Sequence, residues 1–315
     1  MPDVMSVCQV AFSVLDLDKT MAWYREVFGY IATGGNDDQG GDEVAAMQGL
    51  PACRCDMAWL VDSQDFFQLE FFRYTEPTPR PRRADATPSD IGYAVVGIHV
   101  EDFDDSLVRL AETGTPLDSP VVGSAPARRV RVRDPEGVFL ELMEDDLRSP
   151  GGGLPLVVRP AVPVATRYVR IVVDNLDAAR DFFVDSLGLR PAGVTLHGPE
   201  HAALWAEPAP PRTALLWAGD FLVELACYRD ARPRPDGYLI SDQGLLNIAL
   251  GSRSVADHRN LVARARKHDV LMHQEMSIGS AVVRYLSGPE TLSVEVLAIP
   301  DPEIEDASGF APRLR

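Results

Sequence analysis

One strand–helix unit occurs four times in this chain of 315 residues. It reads QVAFSVLDLDKTMAWY at 9–24, VVGIHVEDFDDSLVRL at 95–110, YVRIVVDNLDAARDFF at 168–183 and NIALGSRSVADHRNLV at 247–262. Each copy opens with an alternating run rich in β-branched residues and crosses a short polar turn. It then continues with apolar residues at helical spacing, as at Leu107, Leu110 and Ala111. A repeated unit constrains the fold strongly, because each copy carries the same apolar face and must bury it against another copy. Helices are predicted near 18–29, 104–113, 177–187 and 255–268. Shorter alternating runs follow each unit: 57–61, 66–72, 129–133 and 138–143 in the first half, then 202–205, 214–217, 221–227, 281–285 and 292–297 in the second. The pattern is β-α-β-β-β, twice per half. The halves are themselves a duplication, since Glu70 and Glu224, and likewise Glu141 and Glu295, are 154 positions apart (224 − 70 and 295 − 141).

Two stretches interrupt the repeats. Residues 74–90, YTEPTPRPRRADATPSD, read as an extended connector rich in proline and charge. Residues 148–165 contain a glycine triplet among prolines and mark the expected linker, between a first domain at 1–147 and a second at 166–300. The tail at 301–315 starts acidic and is expected to be loose or to dock on a neighbour. The N-terminus has no basic run ahead of an apolar one, and no stretch reaches the roughly 18–20 apolar residues of a membrane span. The four cysteines are scattered without metal-binding or redox spacing, as expected of reduced thiols in a cytoplasmic protein. A formal net charge of −17 argues against nucleic acid and anionic membranes as partners, since both need a basic footprint.

Three segments carry a resemblance: VLDLDKTMAWYREVFGY at 14–30, its copy VDNLDAARDFFVDSLGL at 173–189, and DPEGVFLELMED at 134–145. With these the chain resembles the vicinal oxygen chelate superfamily, which includes glyoxalase I, extradiol ring-cleaving dioxygenases, methylmalonyl-CoA epimerase, fosfomycin-resistance transferases and bleomycin-binding proteins. The resemblance implies an α+β fold. Four β-α-β-β-β modules would pair into two open cups of curved sheet, with helices on the outer face. It also implies metal ligands on the first and last strands of modules. Carried over by position, the first cup would present Gln9, Glu70, Val95 and Glu141, and the second Tyr168, Glu224, Asn247 and Glu295.

No histidine falls on any of these eight positions. A ring-cleaving dioxygenase of the family needs two His and one carboxylate on iron, so that activity is set aside. Gln9, Glu70 and Glu141 could form an all-oxygen ligand set suited to Mg²⁺, Mn²⁺ or Ca²⁺, although Val95 leaves a dead corner. The expectation is therefore no cofactor, with a divalent cation in the first cup as the exception. No tightly bound iron or zinc is expected.

The four glutamates lie in otherwise apolar runs, FFQLEFF, GVFLELM, FLVELAC and TLSVEVL, and so are half-buried. A carboxylate there is costly unless paired or protonated. Two in one cup would repel, leaving an acid beside a base. His99, four residues beyond Val95 on the same strand, is a further candidate for the first cup. The remaining histidines fall in loops or on the fourth helix, without ligand spacing. Small residues Ala11, Ser13 and Gly97 beside Phe66, Phe72 and Phe139 leave room for an apolar or aromatic small molecule. In the second cup Arg170 is expected to ion-pair with Glu224 and Glu295, closing it. Arg129, Arg131 and Arg133 form one basic face, read as a solvated edge. Three functions stay open. One is a lyase or isomerase with glutamate-based proton transfer by Glu70 and Glu141, flanked by Gln9 and His99. The second is metal-free binding or sequestration of a small molecule, and the third a hydrolase or cyclase chemistry. A homodimer is open as the assembly.

Overall fold

The computed structural model describes residues 5–149, 159–205 and 209–310. The expected glycine triplet at 151–153 and residues 311–315 of the tail lie outside the described residues. The four modules are present. The first runs β1 (Ser6–Ser13), α1 (Leu17–Phe28), β2 (Ile31–Gly40), α2 (Asp42–Gln48), β3 (Arg54–Val61) and β4 (Gln68–Glu76). The second runs β5 (Gly92–Val100), α3 (Phe103–Glu112), β6 (Arg129–Arg133) and β7 (Phe139–Met143). The third has β8 (Val164–Val172), α4 (Leu176–Asp181, continued by a π turn over Phe182–Ser186), β9 (Arg190–Pro191), β10 (Arg212–Ala218) and β11 (Phe221–Cys227). The fourth has β12 (Gly244–Ser252), α5 (Val255–Lys267), β13 (Leu271–Ile278), β14 (Ala281–Ser287) and β15 (Ser293–Ala298), followed by α6 (Pro302–Ala307).

The polar turn of each repeat is a helix cap. The side chains of Asp16, Asp102, Asn175 and Ser254 accept from the backbone N–H of Lys19, Asp105, Ala178 and Asp257, satisfying an orphan donor at each helix start. Such a cap contributes about 1 kcal/mol. The four helices lie where the repeat places them. Residues 202–205, expected as a strand, instead form the end of a 3₁₀ turn over Pro199–Leu204 and its cap at Trp205, for which Gly198–Pro199 supplies the start. An apolar run this short does not by itself distinguish strand from helical turn.

The sheets overturn one expectation. One sheet has the order β13-β14-β15-β12-β1-β4-β3-β2, and the other β6-β7-β5-β8-β11-β10-β9. The first module thus pairs with the fourth across antiparallel β1 and β12, and the second with the third across antiparallel β5 and β8. Each cup is built from both halves of the sequence, not from one. The two modules of each half meet elsewhere. The Glu136 carboxylate, on the turn before β7, accepts from the backbone N–H groups of Leu15 and Asp16. Glu290, before β15, does the same for Asp174 and Asn175. A large core between the backs of the sheets and the helices, including Phe12, Tyr24, Phe71 and Leu140, runs through all four modules. The two cup interiors are separate apolar clusters. Among the described residues, no helix is long and apolar enough to cross a membrane.

Candidate functional site

In the parallel pair β1/β4, Ala11 faces Glu70, and in β12/β15, Ala249 faces Glu295. Gln9 and Asn247 each lie two residues before those alanines, on the same face of their strands. The first cup therefore gathers Gln9, Glu70, Asn247 and Glu295, all buried. Glu141 and His99, expected beside Glu70, are absent from it because β5 and β7 belong to the other sheet. The sequence pattern predicts which face each strand presents, but long-range pairing decides which modules share a cup.

A cavity of about 450 Å³ opens above these residues. Its wall includes Met57, Trp59, Phe72, Tyr285 and Leu297, and no Arg, Lys or His side chain lines it among the described residues. The Trp59 indole N–H donates to Glu70 Oε1 at 3.0 Å. Burial, and then the charge of Glu295, push the Glu70 carboxyl well above the usual carboxylate range. Burial pushes Glu295 up to about 7, against the hydrogen bond from Tyr285, its cross-strand neighbour. Gln9 Oε1, both amide atoms of Asn247 and Glu295 Oε2 are buried without a hydrogen-bond partner among the described residues. Unpaired buried oxygens at three of the four equivalent strand positions, Gln9, Asn247 and Glu295, fit a hard divalent cation, which takes carboxylate and amide oxygens. Among the described residues, no group of three His, Cys, Asp or Glu could hold a metal, so such a site here would depend on the two amides.

The C-terminal tail docks on this cup. Phe310 stacks on Phe66 with ring centroids 4.7 Å apart, and Arg159 Nη2 donates to the Phe310 carbonyl at 2.6 Å. Arg253 ties Glu305 of α6 to Asp65 through paired bonds of 2.7–2.9 Å. Gly309, at φ +81°, lies against the Trp59 indole, where a Cβ would approach to 2.7 Å.

The second cup is filled. Val95, Glu141, Tyr168 and Glu224 take the equivalent places, while Asn247 and Glu295, expected here, lie in the other sheet. Arg170 pairs with Glu224 at 2.6 Å and lies 3.8 Å over the Trp205 ring, but does not reach Glu295. Arg129 bonds Glu141 at 3.0 Å and Asp145 at 2.8 Å. Arg131 and Arg133 both pair with Asp118. The basic face read as a solvated edge is therefore largely buried and ion-paired, because a loop with isolated bridges at Leu117 and Val122 covers it. The Tyr168 hydroxyl donates to Glu141. His197, in the loop before the 3₁₀ turn, reaches Glu141 at 2.8 Å and Glu224 at 3.6 Å. Sequence spacing missed it, since a loop residue carries no strand register. Burial opposes the His197 cation, yet the charge of Glu141 raises its pKa. Burial would lift both carboxyls, but His197 and Arg129 hold Glu141 well below its usual range, and Arg170 holds Glu224 down to about 2. His99 lies near the end of β5, in the sheet of the second cup.

The profile of the Glyoxalase/Bleomycin resistance protein/Dioxygenase superfamily matches residues 7–142. No curated protein sequence matches the chain. Among solved structures, glyoxalase I from Zea mays is similar over 96% of this chain and 96% of its own, with TM-score 0.61 and 15% identity. A protein of Bacillus subtilis subsp. subtilis str. 168, provisionally titled a dioxygenase, covers 96% of this chain and 87% of its own, with TM-score 0.64 and 14% identity. At such identities the likeness is one of fold.

Proposed function

We propose that the first cup is the active site of a lyase or isomerase, a reading that starts from the match of residues 7–142 to the glyoxalase/bleomycin resistance/dioxygenase superfamily. The reaction would move a proton on carbon beside a carbonyl in a small, mostly apolar substrate. One observation carries the reading: Glu70 and Glu295 share an apolar cavity that no cationic side chain lines among the described residues. With one carboxyl protonated and its neighbour ionised, the cup holds an acid and a base together. The ionised member abstracts the proton, and the protonated member supplies one to the oxygen or carbon that gains charge. The Trp59 N–H holds one oxygen of Glu70 in place at the cavity wall. The wall of Met57, Phe72 and Leu297 excludes water and favours an aromatic or branched substrate. Gln9, Glu70, Asn247 and Glu295 would hold Mg²⁺, Mn²⁺ or Ca²⁺, which when bound would polarise the substrate carbonyl.

The test is deuterium wash-in. A panel of aryl α-hydroxyketones is incubated with the protein in D₂O, with and without Mn²⁺, and C–H loss is followed by proton NMR. Protein-catalysed exchange is expected for at least one member, falling roughly 10²–10⁴-fold in Glu70→Gln and in Glu295→Gln. Saturable binding without exchange would favour sequestration instead. The tail lying against the aromatic wall is the observation on that side.

A further inference from the structure

A second cavity, of about 300 Å³, lies away from both glutamate clusters, where the two sheets abut. Its walls come from the connector at 80–90, the starts of β5 and β12, and the loop at 233–238. Ile91, Tyr93, Ala94, Leu245 and Tyr238 give it an apolar floor. Four arginines also line it: Arg80, Arg82, Arg83 and Arg234. In a chain with a formal net charge of −17, that concentration is unusual.

The carboxylates in the same wall are already engaged. Asp90 accepts from Arg232 Nε and Nη2, both at 2.8 Å, and from Thr87. Asp242 accepts from the backbone N–H groups of Arg80 and Leu239, with Arg80 Nε at 4.0 Å. Arg234 spends Nη1 on neutral partners, the carbonyls of Glu290 and Thr291 and the Thr291 hydroxyl, and lies 4.2 Å over the Tyr238 ring. Its positive charge meets no carboxylate among the described residues. Arg83 stands exposed at the rim.

Arg82 is the centre of the case. Its guanidinium makes no hydrogen bond or ion pair with any described residue, and its buried Nε lacks a partner. It lies 5.2 Å from the centroid of the Phe139 ring, while its backbone N–H is pinned to Gln243 Oε1 at 2.8 Å. Asp134 and Asp90 act on it only through space, and Arg133 opposes them. Asp134 is itself committed to Tyr24, Glu136 and Val138. Arg82 is half-buried, and Nε is its buried atom without a partner; a desolvated donor left unpaired costs about 1–3 kcal/mol, more when charged, so such a group ordinarily has an acceptor. A planar guanidinium held by an aromatic face presents its edge as a fork suited to an oxyanion.

We infer that this cavity binds a small organic anion. Its carboxylate or phosphate would meet the Arg82 guanidinium, and its apolar body would lie against Tyr93 and Leu245. The volume limits the body to about the size of one substituted ring.

The experiment uses isothermal titration calorimetry at low salt on the full chain, with phenyl phosphate and phenylacetate as probes and benzyl alcohol as the neutral control. Saturable binding of at least one anion, one per chain, is expected. It should weaken about 10–100-fold in Arg82→Gln, the range of one lost charged hydrogen bond, and be partly kept in Arg82→Lys. Ile91→Trp, which fills the cavity and spares Arg82, should abolish it. Thermal melts of each variant separate loss of the site from loss of the fold. Binding of wild-type strength in Arg82→Gln, equal binding of benzyl alcohol, or no saturation by either anion up to about 10 mM would overturn the inference.

Discussion

Glu70 and Glu295 come from the first and last modules, yet they occupy the same place in one cup, each opposite an alanine of the neighbouring parallel strand. Both carboxyls are raised by burial, and the charge of Glu295 adds to the rise at Glu70. A group whose folded pKa is raised stabilises below its unfolded value and loses that contribution as pH climbs toward the folded one. For Glu295 the window runs from about 4.3, the ordinary Glu value, to about 7. Stability of the metal-free protein should fall across it, with Glu295 contributing on the order of 4 kcal/mol. Melting temperature against pH is the measurement. Glu295→Gln should flatten the slope and be more stable than wild type at pH 8.

A divalent cation should reverse that trend. Ionised carboxylates bind it and protonated ones do not, so Mn²⁺ should raise the melting temperature more at pH 8 than at pH 5. Asn247→Leu, which removes an amide oxygen from the cup, should reduce the shift. An equal shift in that variant would exclude Asn247 from the ligand set.

The second cup should be acid-sensitive. Glu141 and Glu224 have lowered pKa values, so their contribution is full above about 4.3 and is lost as pH falls toward 2. Arg170→Ala would strand Glu224 in a buried site and should destabilise by about 3–5 kcal/mol in urea denaturation at pH 7. Replacing Arg170 and Glu224 together by Met and Leu should recover much of the loss.

Gly97 is required by its neighbour across the sheet. A Cβ there would come within 1.9 Å of the Tyr168 ring. Gly97→Ala should cost about 1–3 kcal/mol through forced repacking. Combined with Tyr168→Leu it should cost less than the two changes separately, as a double-mutant cycle would show.

The tail gives a prediction about access. Phe310→Ala removes the stack on Phe66 and should speed hydrogen exchange over α6, leaving the strands of the second cup unchanged. Protection loss spread evenly over both sheets would mean that the tail supports the whole fold.

Much of this was legible in the sequence for physical reasons. Period-2 and period-3.6 patterns are local, so the four helices, their capped starts and the positions of Gln9, Glu70, Asn247 and Glu295 on their strands could be read directly. Which module lies beside which is settled by long-range pairing of β1 with β12, and no local period encodes that. Hence the sequence pattern puts Glu141 beside Glu70, whereas its neighbours in the fold are Arg129, Tyr168 and His197. His197 was illegible for a related reason: its position depends on a loop path. The docking of Phe310 rests on a single aromatic side chain near the end of the chain, too little to form a pattern.

The cross-pairing of modules also orders the assembly of the protein during its synthesis. The second cup joins modules that are adjacent in sequence, so its sheet can close before the fourth module has left the ribosome. The first cup joins the earliest segment to the latest. Until β12 arrives, β1 has an exposed edge that only β12 covers in the finished fold, and such edges invite pairing with other chains. The cavity holding Glu70 and Glu295 is then among the last features to exist, and a chain truncated before β15 would lack it while keeping the strands of the second cup.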